Sequence, residues 1–85
     1  MVKMELEGIV KEIVFRSEYS CKFLLSKNDR LILCTITKSN IKLADYIKED
    51  EPIKINAQMN AYIRFKDERR FVENVCYVNE IILTP

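Results

Sequence analysis

The chain has 85 residues, 48% of them hydrophobic, and a net charge of +1. That length holds one domain and no second core, the apolar fraction is too high for intrinsic disorder, and so balanced a charge does not by itself announce a nucleic-acid binder. No apolar stretch approaches the roughly 18–20 residues of a membrane span, and Glu5 and Glu7 interrupt the start where a signal peptide would be apolar, so a cytoplasmic protein with no membrane partner is expected.

Met4 to Phe15 reads as the first strand. Met4 and Leu6 point one way and Ile9, Ile13 and Phe15 the other, and Gly8, the one glycine in the chain, sits where the phase slips. A β-bulge at Gly8 would restore one continuous apolar face and bend the strand. Arg16 to Ser20 reads as a turn, Cys21 to Ser26 as a short second strand, and Lys27-Asn28-Asp29-Arg30 as a tight hairpin connection. Leu31 to Thr37 follows as a third strand.

Lys38 to Glu51 breaks the strand pattern. Ser39 or Asn40 is placed to cap a short helix with an apolar stripe of Ile41, Leu43, Ala44 and Ile47, and Pro52 closes the segment. Ile53, Ile55, Ala57, Met59, Ala61, Ile63 and Phe65 then alternate without error against Lys54, Asn56, Gln58, Asn60, Tyr62, Arg64 and Lys66. A period of two over that length predicts a long strand with one face on a core and the other in water. The water-facing side carries amides, a tyrosine and three cations, with no carboxylate.

Asp67 and Glu68 make the tip of the next hairpin, and the fifth strand is predicted from about Arg70 to Leu83. Apolar residues fall on both its faces (Phe71, Val75, Tyr77, Ile81 and Val72, Cys76, Val78, Ile82), which predicts cover on both sides for much of its length. Cys21, Cys34 and Cys76 are far apart and odd in number, which fits buried free thiols better than a disulfide framework or a zinc site. Three strands, a short helical insert and two strands, with the first strand bent at a glycine, match an all-β, five-stranded OB-fold-like Greek-key barrel with a short helix between strands 3 and 4. Residues 1–85 form a single such domain in this reading. An SH3-like barrel, with shorter strands and a different insert position, is the competing fold.

The stretch Gly8-Ile9-Val10-Lys11-Glu12-Ile13-Val14-Phe15-Arg16-Ser17-Glu18 resembles the start of the small N-terminal OB domain of long-form RecD-like DNA helicases. Arg64-Phe65-Lys66-Asp67-Glu68-Arg69-Arg70-Phe71 is similar to the basic and aromatic hairpin joining the last two strands of those domains. The chain departs from them in having no glycine after Gly8 and Glu18-Tyr19-Ser20-Cys21 at the first turn. The resemblance implies either an accessory domain of a longer protein or a free-standing relative of one, not a motor, with a helicase or other DNA-processing protein as partner; one glycine leaves no Walker A loop in these residues.

Histidine is absent, which removes the commonest general base and metal ligand and with them the Ser-His-Asp and Cys-His systems. Glu49-Asp50-Glu51 reads as a solvated turn, since a calcium site needs six to eight shaped oxygens. The expectation is therefore no catalytic function, no metal and no cofactor. OB-folds bind single strands with aromatic stacking platforms and cations that follow the backbone. The candidates are Tyr19, Lys22 and Phe23 near the first turn, and Tyr62, Arg64, Lys66, Arg69 and Arg70 on the long strand and its hairpin. Phe23 is equally placed to be core, while Tyr46 and Tyr77 read as packing or rim residues. The expected partner is single-stranded DNA or RNA. The alternative is a protein-interaction module without nucleic acid, for which a homodimer through an apolar strand is one arrangement.

Overall fold

A computed structural model describes residues 2–82, with Val2 described by its backbone alone. Strands β1 (Val2–Arg16), β2 (Cys21–Lys27), β3 (Arg30–Ile36), β4 (Pro52–Lys66) and β5 (Arg69–Ile81) form a closed barrel in the order β1-β2-β3-β5-β4, and a 3-10 helix (Lys38–Tyr46) lies between β3 and β4. Leu83, the expected end of the fifth strand, lies outside the described residues.

β1 serves two neighbours. Its first half pairs with β4, from Val2 opposite Met59 to Ile9 opposite Pro52, and its second half pairs with β2, from Ile9 opposite Ser26 to Arg16 opposite Cys21. The inward phase runs through Met4, Leu6, Gly8 and Val10, so Val10 is fully buried while Ile9 and Phe15 are exposed. The sequence-based phase therefore needs correction. The register shifts fall between Val10 and Glu12 and between Ile13 and Phe15, not at Gly8. Gly8 serves a different need: a Cβ there would sit 2.4 Å from the Ser26 carbonyl oxygen, where β2 crosses close to β1. Gly8→Ala should destabilise the barrel by about 2–3 kcal/mol, the cost of forcing a methyl against backbone, read as a fall in Tm on the order of 10–20 °C.

β2 alternates cleanly, with Cys21, Phe23 and Leu25 inward. The β2–β3 and β4–β5 hairpins both close through two residues with positive φ, Asn28 and Asp29 in the first and Asp67 and Glu68 in the second. This turn matches the right-handed twist of its strands. The 3-10 helix starts after Thr37 with no side-chain cap, so neither Ser39 nor Asn40 caps it. Asn40 instead leaves helical geometry (φ −120°) and donates its amide to the Val78 carbonyl at 3.4 Å, tying the insert to β5. Ala44 and Ile47 plug the barrel from this segment, beside Val10, Phe23, Leu25, Ile36, Ile55 and Val78. Burial of each large aliphatic or aromatic group contributes about 1.5–3 kcal/mol.

The barrel closes where β3 runs parallel to β5, a joint of two residue pairs, Cys34 with Cys76 and Thr35 with Tyr77. All three cysteines are buried and free. The neighbouring Cys76 thiol, together with burial, pushes the Cys34 thiol well above its ordinary value.

The long alternation of β4 holds in its faces but not in its cover. Ile55 and Ala57 are core, yet Ala61, Ile63 and Phe65 are exposed. β1 accompanies β4 as far as Met59; beyond it, among the described residues, β4 has β5 alone beside it. Residues 60–66 and 69–75 therefore leave the barrel as a two-stranded arm, about 20 Å long at ~3.3 Å per residue, on a molecule 49 Å in its longest dimension. β5 is correspondingly not covered on both sides in this half: Phe71 and Val72 are both exposed.

Candidate nucleic-acid interface

Residues directly opposite in a ladder share a face of the sheet, so the register maps the outer surface. One row crosses all five strands: Phe15 on β1, Lys22 on β2, Thr35 on β3, Tyr77 on β5 and Gln58 on β4. From Tyr77 the row turns up the arm, because its hydroxyl and that of Tyr62 lie 3.1 Å apart and share a hydrogen bond. Asn60 donates to the Tyr62 hydroxyl at 3.4 Å. Together the Tyr77 hydroxyl and the Asn60 amide hold the Tyr62 phenol below its ordinary value, and the same pairing pushes Tyr77 up. Beyond Tyr62 the same face of the arm carries Arg64 opposite Phe71 and Lys66 opposite Arg69.

The result is a track of rings and cations from Phe15 to Arg69, interrupted on β3 by Thr35, which is buried. Tyr62 is 38% exposed and Phe71 48%, enough for one face of each ring to meet a base. Arg64 is not idle in this state; its guanidinium forms an ion pair with Glu73, which stands opposite Tyr62. Tyr19 lies in the loop between β1 and β2. Ser17 shapes that loop: its hydroxyl accepts the backbone N–H groups of Tyr19 and Ser20, each at 3.2 Å, and its own N–H reaches the Ser20 carbonyl at 2.8 Å. The exposed Tyr19 ring has the Lys38 ammonium 5.3 Å from its centroid, a cation–π pair that adds a second ring–cation element.

Three of the sequence candidates do not join the track: Phe23, Arg70 and Tyr19, the last standing with Lys38. Phe23 is 0% exposed and points into the core, so it cannot act as a stacking platform; its neighbour Lys22 takes the outward direction. Arg70 stands opposite Phe65 on the other face of the arm. Tyr62, Arg64, Lys66 and Arg69 share one face, Lys22 lies on the row below, and Tyr19 stands with Lys38.

Phe15, Phe71 and Lys38 are not among the sequence candidates, and Tyr77, read from the sequence as a packing or rim residue, lies on the outer row. Phe71 was within reach, since counting back from a two-residue turn at Asp67-Glu68 sets it opposite Arg64. Phe15 was not, because the register shift between Ile13 and Phe15 turns it away from the inward side that Ile13 faces. Further along the outer surface of β1–β3 the character changes to aliphatic, with Ile9, Leu31 and Leu33 exposed. An open cleft of about 580 Å³ lies at the other end of β4 and β5, lined by Tyr46, Pro52, Ile53 and Ile81 with charges of both signs, and stands apart from the track.

No known protein family matches the chain, and no curated protein matches it. Among solved structures, the chain is similar to the mitochondrial single-stranded DNA binding protein Rim1 from S. cerevisiae, at 17% identity and a TM-score of 0.69 over 94% of this chain and 89% of that one. A selenomethionine-labelled crystal of the same protein gives 17% identity and a TM-score of 0.65, over 95% and 92% of the two chains. At this identity the likeness is one of architecture: the chain has an OB-fold.

Proposed function

We propose that this domain binds single-stranded nucleic acid along the track from Phe15 through Lys22, Tyr77 and Tyr62 to Phe71 and Arg69, without catalysis of its own. The single observation that carries the reading is the recurrence of rings and cations across the outer row, on either side of the buried Thr35, and up one face of the arm. Rings supply stacking, about 1–3 kcal/mol per base, which any base can accept. Cations supply the sequence-independent attraction to phosphate. The similarity in fold to a protein described as single-stranded DNA binding supports the same reading. The resemblance of residues 8–18 and 64–71 to helicase OB domains supports a role beside a DNA-processing enzyme, with residues 1–85 acting as one unit.

The test is fluorescence anisotropy of a labelled single-stranded oligonucleotide at several salt concentrations. Three to four phosphates met by Lys22, Arg64, Lys66 and Arg69 give a slope of log K against log salt of roughly −2 to −3, at about −0.7 per phosphate for a single strand. No binding at low salt, or binding indifferent to salt, would remove the nucleic-acid reading.

One observation favours a protein-interaction module instead. Ile9, Leu31 and Leu33 are exposed together on the outer surface, and β3 pairs with β5 only at Cys34 and Thr35 among the described residues, which leaves the Arg30–Leu33 edge open. Aliphatic groups beside an open edge suit a second copy or another protein. A concentration-dependent dimer in sedimentation, with no oligonucleotide binding, would decide for that reading.

A further inference from the structure

The arm has two faces, and each carries the same pairing of a phenyl ring with an arginine across the strands. Arg64 stands opposite Phe71 on the face that continues the track, and Arg70 stands opposite Phe65 on the other. Phe65 is 76% exposed, more than any other large hydrophobic residue described, with Ile63 and Val72 exposed behind it. Lys66 and Arg69 stand beside the turn on the track face and Arg70 beside it on the other face, and the carboxylates of Asp67 and Glu68 lie in the turn itself. Negative charge at the extreme tip and positive charge on both flanks favour backbones that pass along the sides of the arm rather than across its end. A second face of this composition has no use in holding one strand. It fits a ligand that presents a strand to each side.

We propose that the arm is a wedge for a forked nucleic acid, at the junction where a duplex opens into two single strands. One strand follows the Tyr62–Arg64–Phe71 face and the track below it; the other meets Phe65 and Arg70, with Lys66 and Arg69 on the phosphates at the junction. Phe65, backed by Ile63 and Val72, lies against the terminal base pair, as apolar side chains do where they unstack a base step. This inference rests on the single-strand reading and adds the class of ligand.

The experiment compares three labelled DNA probes on the full chain: a single strand, a blunt duplex, and a fork built from that single strand with two unpaired tails. The wild-type protein should bind the fork about tenfold tighter than the single strand. Phe65→Ala/Arg70→Ala should bring fork affinity down to that of the single strand while leaving single-strand affinity unchanged within a factor of two. With 2-aminopurine in the first junction pair, fluorescence should rise on binding wild type and not on binding the variant. Both positions are exposed on the arm, and an unchanged Tm verifies that the variant folds. A fork bound no tighter than the single strand, or a surplus that survives the double substitution, overturns the wedge and leaves the single-strand reading standing. Failure to bind any of the probes overturns both.

Discussion

Phe23→Ala should lose about 3–5 kcal/mol of stability, the usual result of emptying a fully buried phenylalanine site. Phe23 sits on the inward face of β2 between Ile13 of β1 and Cys34 of β3, and no part of it reaches solvent. A domain of this length holds on the order of 5–10 kcal/mol in total, so the variant keeps a marginal fold and its Tm should fall on the order of 15–30 °C. Thermal unfolding followed by circular dichroism measures this directly. A variant that melts near wild type yet loses oligonucleotide affinity would restore Phe23 to the binding surface and displace the assignment of Lys22 as the outward residue.

Tyr62→Ala/Phe71→Ala should do the reverse. Each ring is exposed on the arm and contributes little to the core, so Tm moves by only a few degrees, the usual effect of a surface substitution. Two stacking platforms at about 1–3 kcal/mol each amount to roughly a 30-fold or greater loss of single-strand affinity, at 1.4 kcal/mol per decade. Tyr62→Phe separates stacking from hydrogen bonding: it keeps the ring and discards the shared proton with Tyr77, so it should retain most of the affinity. Equal losses for Tyr62→Phe and Tyr62→Ala would mean that the hydroxyl pair, not the ring, meets the ligand.

Much of this architecture was legible because its signals are local. The two-residue Asn28-Asp29 turn and the strict alternation of β4 depend on neighbours in sequence, and the structure keeps both; β2 and β3 carry apolar residues at successive positions, so their faces are assigned only by the structure, which turns Cys21, Phe23 and Leu25 inward. What was not legible depends on distant chain. Alternation in β4 separates two faces, but where the apolar face loses its cover is decided by where β1 stops pairing, at Met59. Gly8 looked like a bulge because the phase slips beside it; its actual constraint is the Ser26 carbonyl, eighteen residues away. The candidate site divides the same way. Tyr62, Arg64 and Lys66 could be placed on one face by period alone, whereas Arg69 and Arg70 could be sorted only by the length of the turn. Phe15 and Tyr77 joined the surface through the register shift after Ile13 and a parallel strand pairing that no local pattern encodes.

The arm has no joint of its own. From Ile53 to Ile82 the chain contains neither glycine nor proline, and pairing runs from Ile55 opposite Ile81 up to Lys66 opposite Arg69 with one irregularity, between Asn56 and Ala57, at the barrel end. The strands that carry Tyr62 and Phe71 outward are the same strands that hold Ala57 and Val78 in the core. The backbone beneath these rings is already fixed by strand pairing when the protein folds. A ligand that settles on them therefore meets a preorganised surface, and the ordering penalty that weakens binding by flexible loops is largely absent. The same continuity means that a strand pulling on the tip acts directly on the barrel, with no flexible segment to absorb the load.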